Sequence, residues 1–158
     1  MQVMEPQEVL AKLADYPLRV FEEGDVVLSE GSRTHRLLFL RHGEVDIMVD
    51  DIEVIKSAEP GAVFGDVALL LDQTHKADVR AAQPSSFHVI DDAEAFLDAE
   101  PAVLLYIAKV LARRLDAVNH LLIEGKNRSA EAEPRLGFFT EMYHRLGSAL
   151  QIRVPRDP

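Results

Sequence analysis

The run Phe64-Gly65-Asp66-Val67-Ala68-Leu69-Leu70 and the His75-Lys76-Ala77-Asp78-Val79-Arg80-Ala81 that follows it hold the residues best placed to do chemistry, and that chemistry is anion binding. Gly65 lets the backbone approach a ligand or take a φ that other residues resist. The residues after it can close one helical turn whose free N–H groups attract an anion. A small phosphate is the natural guest. Asp66 places a carboxylate in the turn, and His75 an imidazole and Lys76 a cation just before a strand. A charge-assisted contact to a phosphate contributes about 1.5–3 kcal/mol, so these side chains would set the affinity.

Other chemistries have less support. The histidines at 35, 42, 75, 88, 120 and 144 are scattered without an i, i+4 metal pair, and no G-x-S-x-G nucleophile motif occurs. A metal-holding cupin would need two closely grouped histidines and a glutamate. His35, His42-Gly43-Glu44, His75 and His88 do not match that spacing. Asp46, Asp50 and Asp51 could hold a metal, but Asp50-Asp51 between two apolar runs reads first as a hairpin turn. The absence of cysteine removes disulfides, thiolate metal sites, thiol nucleophiles and iron–sulfur sensing. A non-enzyme without cofactor or metal is expected.

Positioning these residues falls to a chain of 158 residues, 47% hydrophobic, enough for one globular domain with its own core. Residues 5–15 suit a short helix, with Val9, Leu10 and Leu13 on one side. Between 18 and 90, apolar runs alternate with turn residues. Strands are expected at Leu18–Phe21, Val26–Leu28, Arg36–Leu40, Glu44–Val49, Glu53–Ser57, Ala77–Ala81 and Ser86–Ile90. So many short strands imply a sandwich or jelly roll. Asp91 or Asp92 can cap a short helix to about Ala99, and Pro101 opens a long one to Ile123.

That long helix carries Leu104, Ala108, Leu111, Leu115, Val118 and Leu122 at a 4-3-4-3-4 spacing, a heptad seam that suits a homodimer. The plainer alternative is an amphipathic helix lying on its own sandwich. The last stretch divides into a polar linker, Lys126–Pro134, and an apolar-faced helical segment, Arg135–Leu150. Residues 1–125 thus form the domain, and 126–158 an extension without domain status.

The same residues resemble the cyclic-nucleotide-binding domain family, the sensor module of catabolite-activator-type regulators, cyclic-nucleotide-dependent kinases and gated channels. Its F-G-E-x-A/G-L-L turn and R-x-A-x-V-R-A strand entry are met by Phe64, Gly65, Ala68, Leu69, Leu70, Ala77, Val79, Arg80 and Ala81. Upstream, Phe21-Glu22-Glu23-Gly24-Asp25-Val26-Val27 with Gly31, and Leu37–Val45 with Gly43, resemble its earlier strands. Leu111-Ala112-Arg113-Arg114-Leu115 matches the L-A-R-R-L run of its dimer helix. The likeness spans roughly residues 18–120.

The resemblance implies a mainly β, α+β fold: a jelly-roll β-sandwich (double-stranded β-helix) flanked by a short N-terminal helix and a long C-terminal dimer helix. It implies cAMP or cGMP as ligand, with the phosphate on the N–H groups near Gly65 to Leu69 and the sugar at Asp66. Val118 and Asn119 fall where relatives cover the base. Two departures stand out: the family glutamate on the ribose is Asp66 here, and the family arginine on the phosphate is His75. Aspartate loses reach, and histidine loses the planar fork and the fixed charge. Lys76 or Arg80 could compensate, or both are solvated surface cations.

The net charge of −10 disfavours nucleic acid, which needs clustered Lys and Arg. Residues 1–125 hold 11 basic and 23 acidic side chains. No apolar run approaches a membrane span and the first residues lack a secretory pattern, so a cytoplasmic location without membrane contact is expected. The expected role is a regulatory sensor acting on an unknown protein partner. The alternatives are a ligand-independent dimeric scaffold with a degenerate pocket, and a sensor of another anion such as a cyclic dinucleotide or a sugar phosphate.

Overall fold

The computed structural model describes residues 1–129, so the helical segment expected over 135–150 lies outside the described residues. The elements are α1 (Pro6–Lys12), β1 (Leu18–Phe21), β2 (Val26–Leu28), β3 (Leu37–His42), β4 (Val45–Val49), β5 (Ile52–Ser57), β6 (Val63–Phe64), α2 (Asp66–Leu70), β7 (Asp78–Ala81), β8 (Ser85–Ile90), α3 (Ala93–Ala99) and α4 (Pro101–Ser129).

The strands pair antiparallel into two four-stranded sheets, ordered β1-β8-β3-β6 and β2-β7-β4-β5. Alternation along the strands turns Leu38, Leu40, Phe64, Phe87 and Val89 of the first sheet toward Leu28, Val45 and Val79 of the second. Each such burial contributes about 1.5–3 kcal/mol. Phe87 sits at the centre, edge-to-face with Phe21 and Phe64. Asp50 and Asp51 turn the β4–β5 hairpin at φ 51° and 60°, the left-handed pair that a two-residue loop demands.

Beyond shifts of a few residues at element ends such as α1 and β3, two features depart from the sequence reading. Val63 and Phe64 form a strand, paired with Phe39 and Leu38, where the sequence suggested only the start of a turn. Two buried apolar residues between turn signals carry too little pattern to announce a strand. The long helix continues through Ser129, so Lys126–Ser129 are helix and not linker. Lys126 and Arg128 are good helix formers, and the single Gly125 costs only about 1 kcal/mol.

Met1–Lys109 forms one compact unit, and α4 from Val110 onward belongs to a second. In the first, Glu5 and Glu8 cap α1 reciprocally, and Val9, Leu13, Val103, Tyr106 and Ile107 are buried. In the second, Leu115, Val118, Leu121 and Ile123 are exposed, Leu121 by 67%.

Candidate functional site

Gly65 carries φ +87° and caps α2, whose first turn closes when the Leu69 N–H donates to the Gly65 carbonyl at 3.0 Å. The first N–H groups of any helix precede its i→i+4 bonds, so the start of α2 is a place of backbone donors. A Cβ at Gly65 would collide with the Arg36 carbonyl oxygen and come within 3.6 Å of His75 Cε1. Both the conformation and the space therefore demand glycine. Asp66 is buried, 3% exposed, and Phe64 is a core residue, whereas Ala68 and Leu69 are half-buried and Val67 is exposed.

His75 reaches the same place from the other side. Its Nε2 lies 2.9 Å from Thr34 Oγ1, its N–H donates to the Ser32 carbonyl at 2.8 Å, and its carbonyl accepts from the Gly31 N–H at 2.8 Å. The ring is 6% exposed, and burial holds its pKa below the ordinary 6.5. Burial thus favours the neutral imidazole, hydrogen-bonded to the Thr34 hydroxyl, over a fixed cation.

The cations flanking Thr34 and His75 in sequence divide. Arg33 pairs with Asp72, and Arg36 Nε with Asp91 at 2.7 Å. Arg80 pairs with Asp78 at 2.7 Å and Asp51 at 3.3 Å, and the Asp78 hydrogen bond raises its pKa, which makes it a structural cation. Lys76 is exposed and makes no ion pair among the described residues. Ala77 is half-buried at the entry to β7.

The structure thus brings Phe64, Gly65, Asp66 and His75 into one cluster. It adds Thr34 and the Arg36 carbonyl, which the sequence did not single out. Their loop, Gly31 to Arg36, reads as a polar connection, and the Thr34–His75 contact spans 41 positions. A useful signal would have been that a buried histidine needs a polar partner. Val118 and Asn119 lie on α4 in the second unit, Val118 40% exposed and Asn119 half-buried. Among the described residues no group of His, Asp or Glu is arranged to hold a metal ion, and no helix is long and apolar enough to cross a membrane.

The architecture is a two-sheet jelly roll in which a left-handed glycine opens a short helix between β6 and β7. Residues 18–99 match the cyclic nucleotide-binding domain family, and the chain belongs to that family. Among curated proteins it is similar to the potassium/sodium hyperpolarization-activated cyclic nucleotide-gated channel 2 of Mus musculus, 27% identical over 116 residues. That match covers 72% of this chain and only 13% of the channel's length. Among solved structures, the catabolite activator protein of Thermus thermophilus superposes with a TM-score of 0.62 at 23% identity, over 75% of this chain and 59% of the other. A cyclic nucleotide-binding domain from Methylobacillus flagellatus gives 0.61 at 20% identity, over 84% and 77%.

Proposed function

We propose that this chain is a regulatory sensor domain that binds cAMP or cGMP at the Gly65 turn and signals to a protein partner as an α4-linked homodimer. The observation that carries the reading is Gly65 at φ +87° with Asp66 buried directly after it, inside a domain of this family. The nucleotide phosphate would accept from the N–H groups of Asp66, Val67 and Ala68, and its sugar hydroxyl would meet the Asp66 carboxylate. Lys76, exposed beside His75, is the cation free to approach that phosphate. The exposed Leu115, Val118 and Leu121 support the dimer, since apolar residues spaced along one helix call for a partner surface. The domain would act as a binding module, shifting an equilibrium of α4 and not turning over a substrate.

The test is thermal unfolding with and without millimolar cAMP, cGMP and cyclic di-GMP. Ligand at about 100 times its Kd adds about 2.7 kcal/mol, which is roughly 5–11 °C for a chain of this size. A shift with cAMP or cGMP supports the reading and names the ligand. A shift with cyclic di-GMP alone reassigns the ligand, and no shift with any of the three removes the sensor reading. One observation favours a second reading, a ligand-independent scaffold: His75 is neutral, buried and already bonded to Thr34, so the phosphate loses its usual charged clamp.

A further inference from the structure

The Gly65 turn hangs on a short piece of chain that is gripped at both ends. At its far end, Gly61 adopts φ +88° where three elements converge: a Cβ there would stand 2.7 Å from Pro6 Cβ and 3.0 Å from the Tyr106 hydroxyl. The Tyr106 hydroxyl, on a side chain 4% exposed, donates to the Gly61 carbonyl at 2.8 Å. The Gly61 N–H donates to the Leu40 carbonyl at 2.7 Å, and Leu40 N–H returns a bond to the Ala62 carbonyl at 2.9 Å. From there the chain runs extended through Val63 and Phe64, both buried and paired to β3, and ends at Gly65 against the Arg36 carbonyl.

This segment has no slack. Four extended steps span about 13 Å, the strand between the glycines is close-packed, and neither glycine can gain even a methyl group. Tyr106 stands at the base of α4, which salt bridges brace against α1 and its flank: Lys109 to Glu5 at 2.9 Å, and Lys12 to Glu100, just before α4, at 2.7 Å. A displacement of the α4 base must therefore shift Gly61 or break the Tyr106 bond. A displaced Gly61 moves β6, and with it the turn.

We propose that Tyr106 is a positioning residue for the Gly65 turn, its hydroxyl on the Gly61 carbonyl tying the base of α4 to the two-residue strand that carries the turn. The importance of the turn rests on the sensor reading above, but the tie exists with or without a ligand. It gives Tyr106 a role beyond core filling, because phenylalanine would fill the same volume and leave the Gly61 carbonyl without its donor.

The experiment is residue-resolved amide hydrogen exchange on the full chain, comparing wild type, Tyr106→Phe and Lys109→Gln. The reporters are Leu69, Leu71 and Gln73, whose N–H groups bond to the Gly65, Val67 and Ala68 carbonyls. Ala81 and Val89, bonded to Asp25 and Pro17, serve as internal references. A general loss of stability speeds both sets alike, whereas loss of the tie speeds the reporters selectively. Tyr106→Phe is expected to accelerate them roughly two- to tenfold relative to the references, the worth of one hydrogen bond. Lys109→Gln, which removes one brace of the α4 base but leaves the Tyr106–Gly61 bond in place, is expected to change the ratio less than Tyr106→Phe does. Equal ratios in Tyr106→Phe and wild type overturn the proposal, and so does an equal effect of Lys109→Gln. Adding cGMP or cAMP to the wild type tests the sensor reading separately, since its failure leaves the comparison of variants standing.

Discussion

The two sides of the candidate site are made of different materials, and the difference decides what each can offer an anion. The Gly65 side is backbone: a left-handed glycine, three N–H groups at a helix start and a carbonyl packed where a side chain would be. The His75 side is a side chain, which offers an anion only what its own chemistry holds. Here it holds a neutral ring turned into the domain and bonded to Thr34. Backbone geometry is fixed by packing and survives changes in sequence around it. A charged clamp is lost with a single residue. Under the proposed reading, the turn supplies its backbone shape, and the residue at the clamp position adds a hydrogen-bonded imidazole in place of a fixed cation.

The largest test breaks the backbone side. Gly65→Ala forces a Cβ into a left-handed φ and against the Arg36 carbonyl, at an expected cost of about 2–4 kcal/mol. The melting temperature is expected to fall by roughly 5–15 °C, with any stabilisation by nucleotide abolished. A variant that melts like the parent would show that the turn is not under this constraint, and the contrast between the two sides would fail.

Restoring the side-chain half comes next. Asp66→Glu with His75→Arg returns the reach and the fork of the family pattern, and each recovered charge-assisted contact contributes about 1.5–3 kcal/mol. Isothermal titration is expected to show cyclic-nucleotide affinity higher by roughly tenfold to over a hundredfold. If the parent binds nothing and the double variant binds tightly, the parent pocket is degenerate but intact, which favours the scaffold role. If the double variant gains nothing, charge was not what the site lacked.

The same division governs what could be read from the sequence. Gly65, the hairpin at Asp50-Asp51 and most strands announced themselves, because local backbone demands choose glycine, aspartate and alternating apolar residues. Val63–Phe64 did not, since a strand of two residues is defined by its partner β3 and not by its own pattern. The end of α4 was missed because Lys126–Ser129 look like a linker by polarity, although polarity does not forbid a helix. The state of His75 was illegible for a deeper reason. Its partner Thr34 is remote in sequence, and only the folded structure shows that the residue at the clamp position faces inward.

The smallest effect is also the most direct probe of that inward histidine. Folded His75 titrates below 6.5 because burial disfavours the charged ring, while the unfolded chain titrates near 6.5. Between those two values the unfolded state binds the extra proton. Stability from this group is therefore complete above pH 6.5 and falls as the pH descends to the folded-state value, then levels off. Exposed His120, whose pKa is raised by its hydrogen bond to the Asp116 carbonyl and by the Asp116 charge, contributes with the opposite sign. Its share cancels when wild type is compared with His75→Gln, which keeps a hydrogen-bonding side chain opposite Thr34. Urea unfolding between about pH 5 and pH 8 is expected to show the wild type losing more stability on acidification than the variant. Parallel curves would mean that the ring carries the same charge folded and unfolded, so that acidification would give the turn back its missing cation without disturbing the fold.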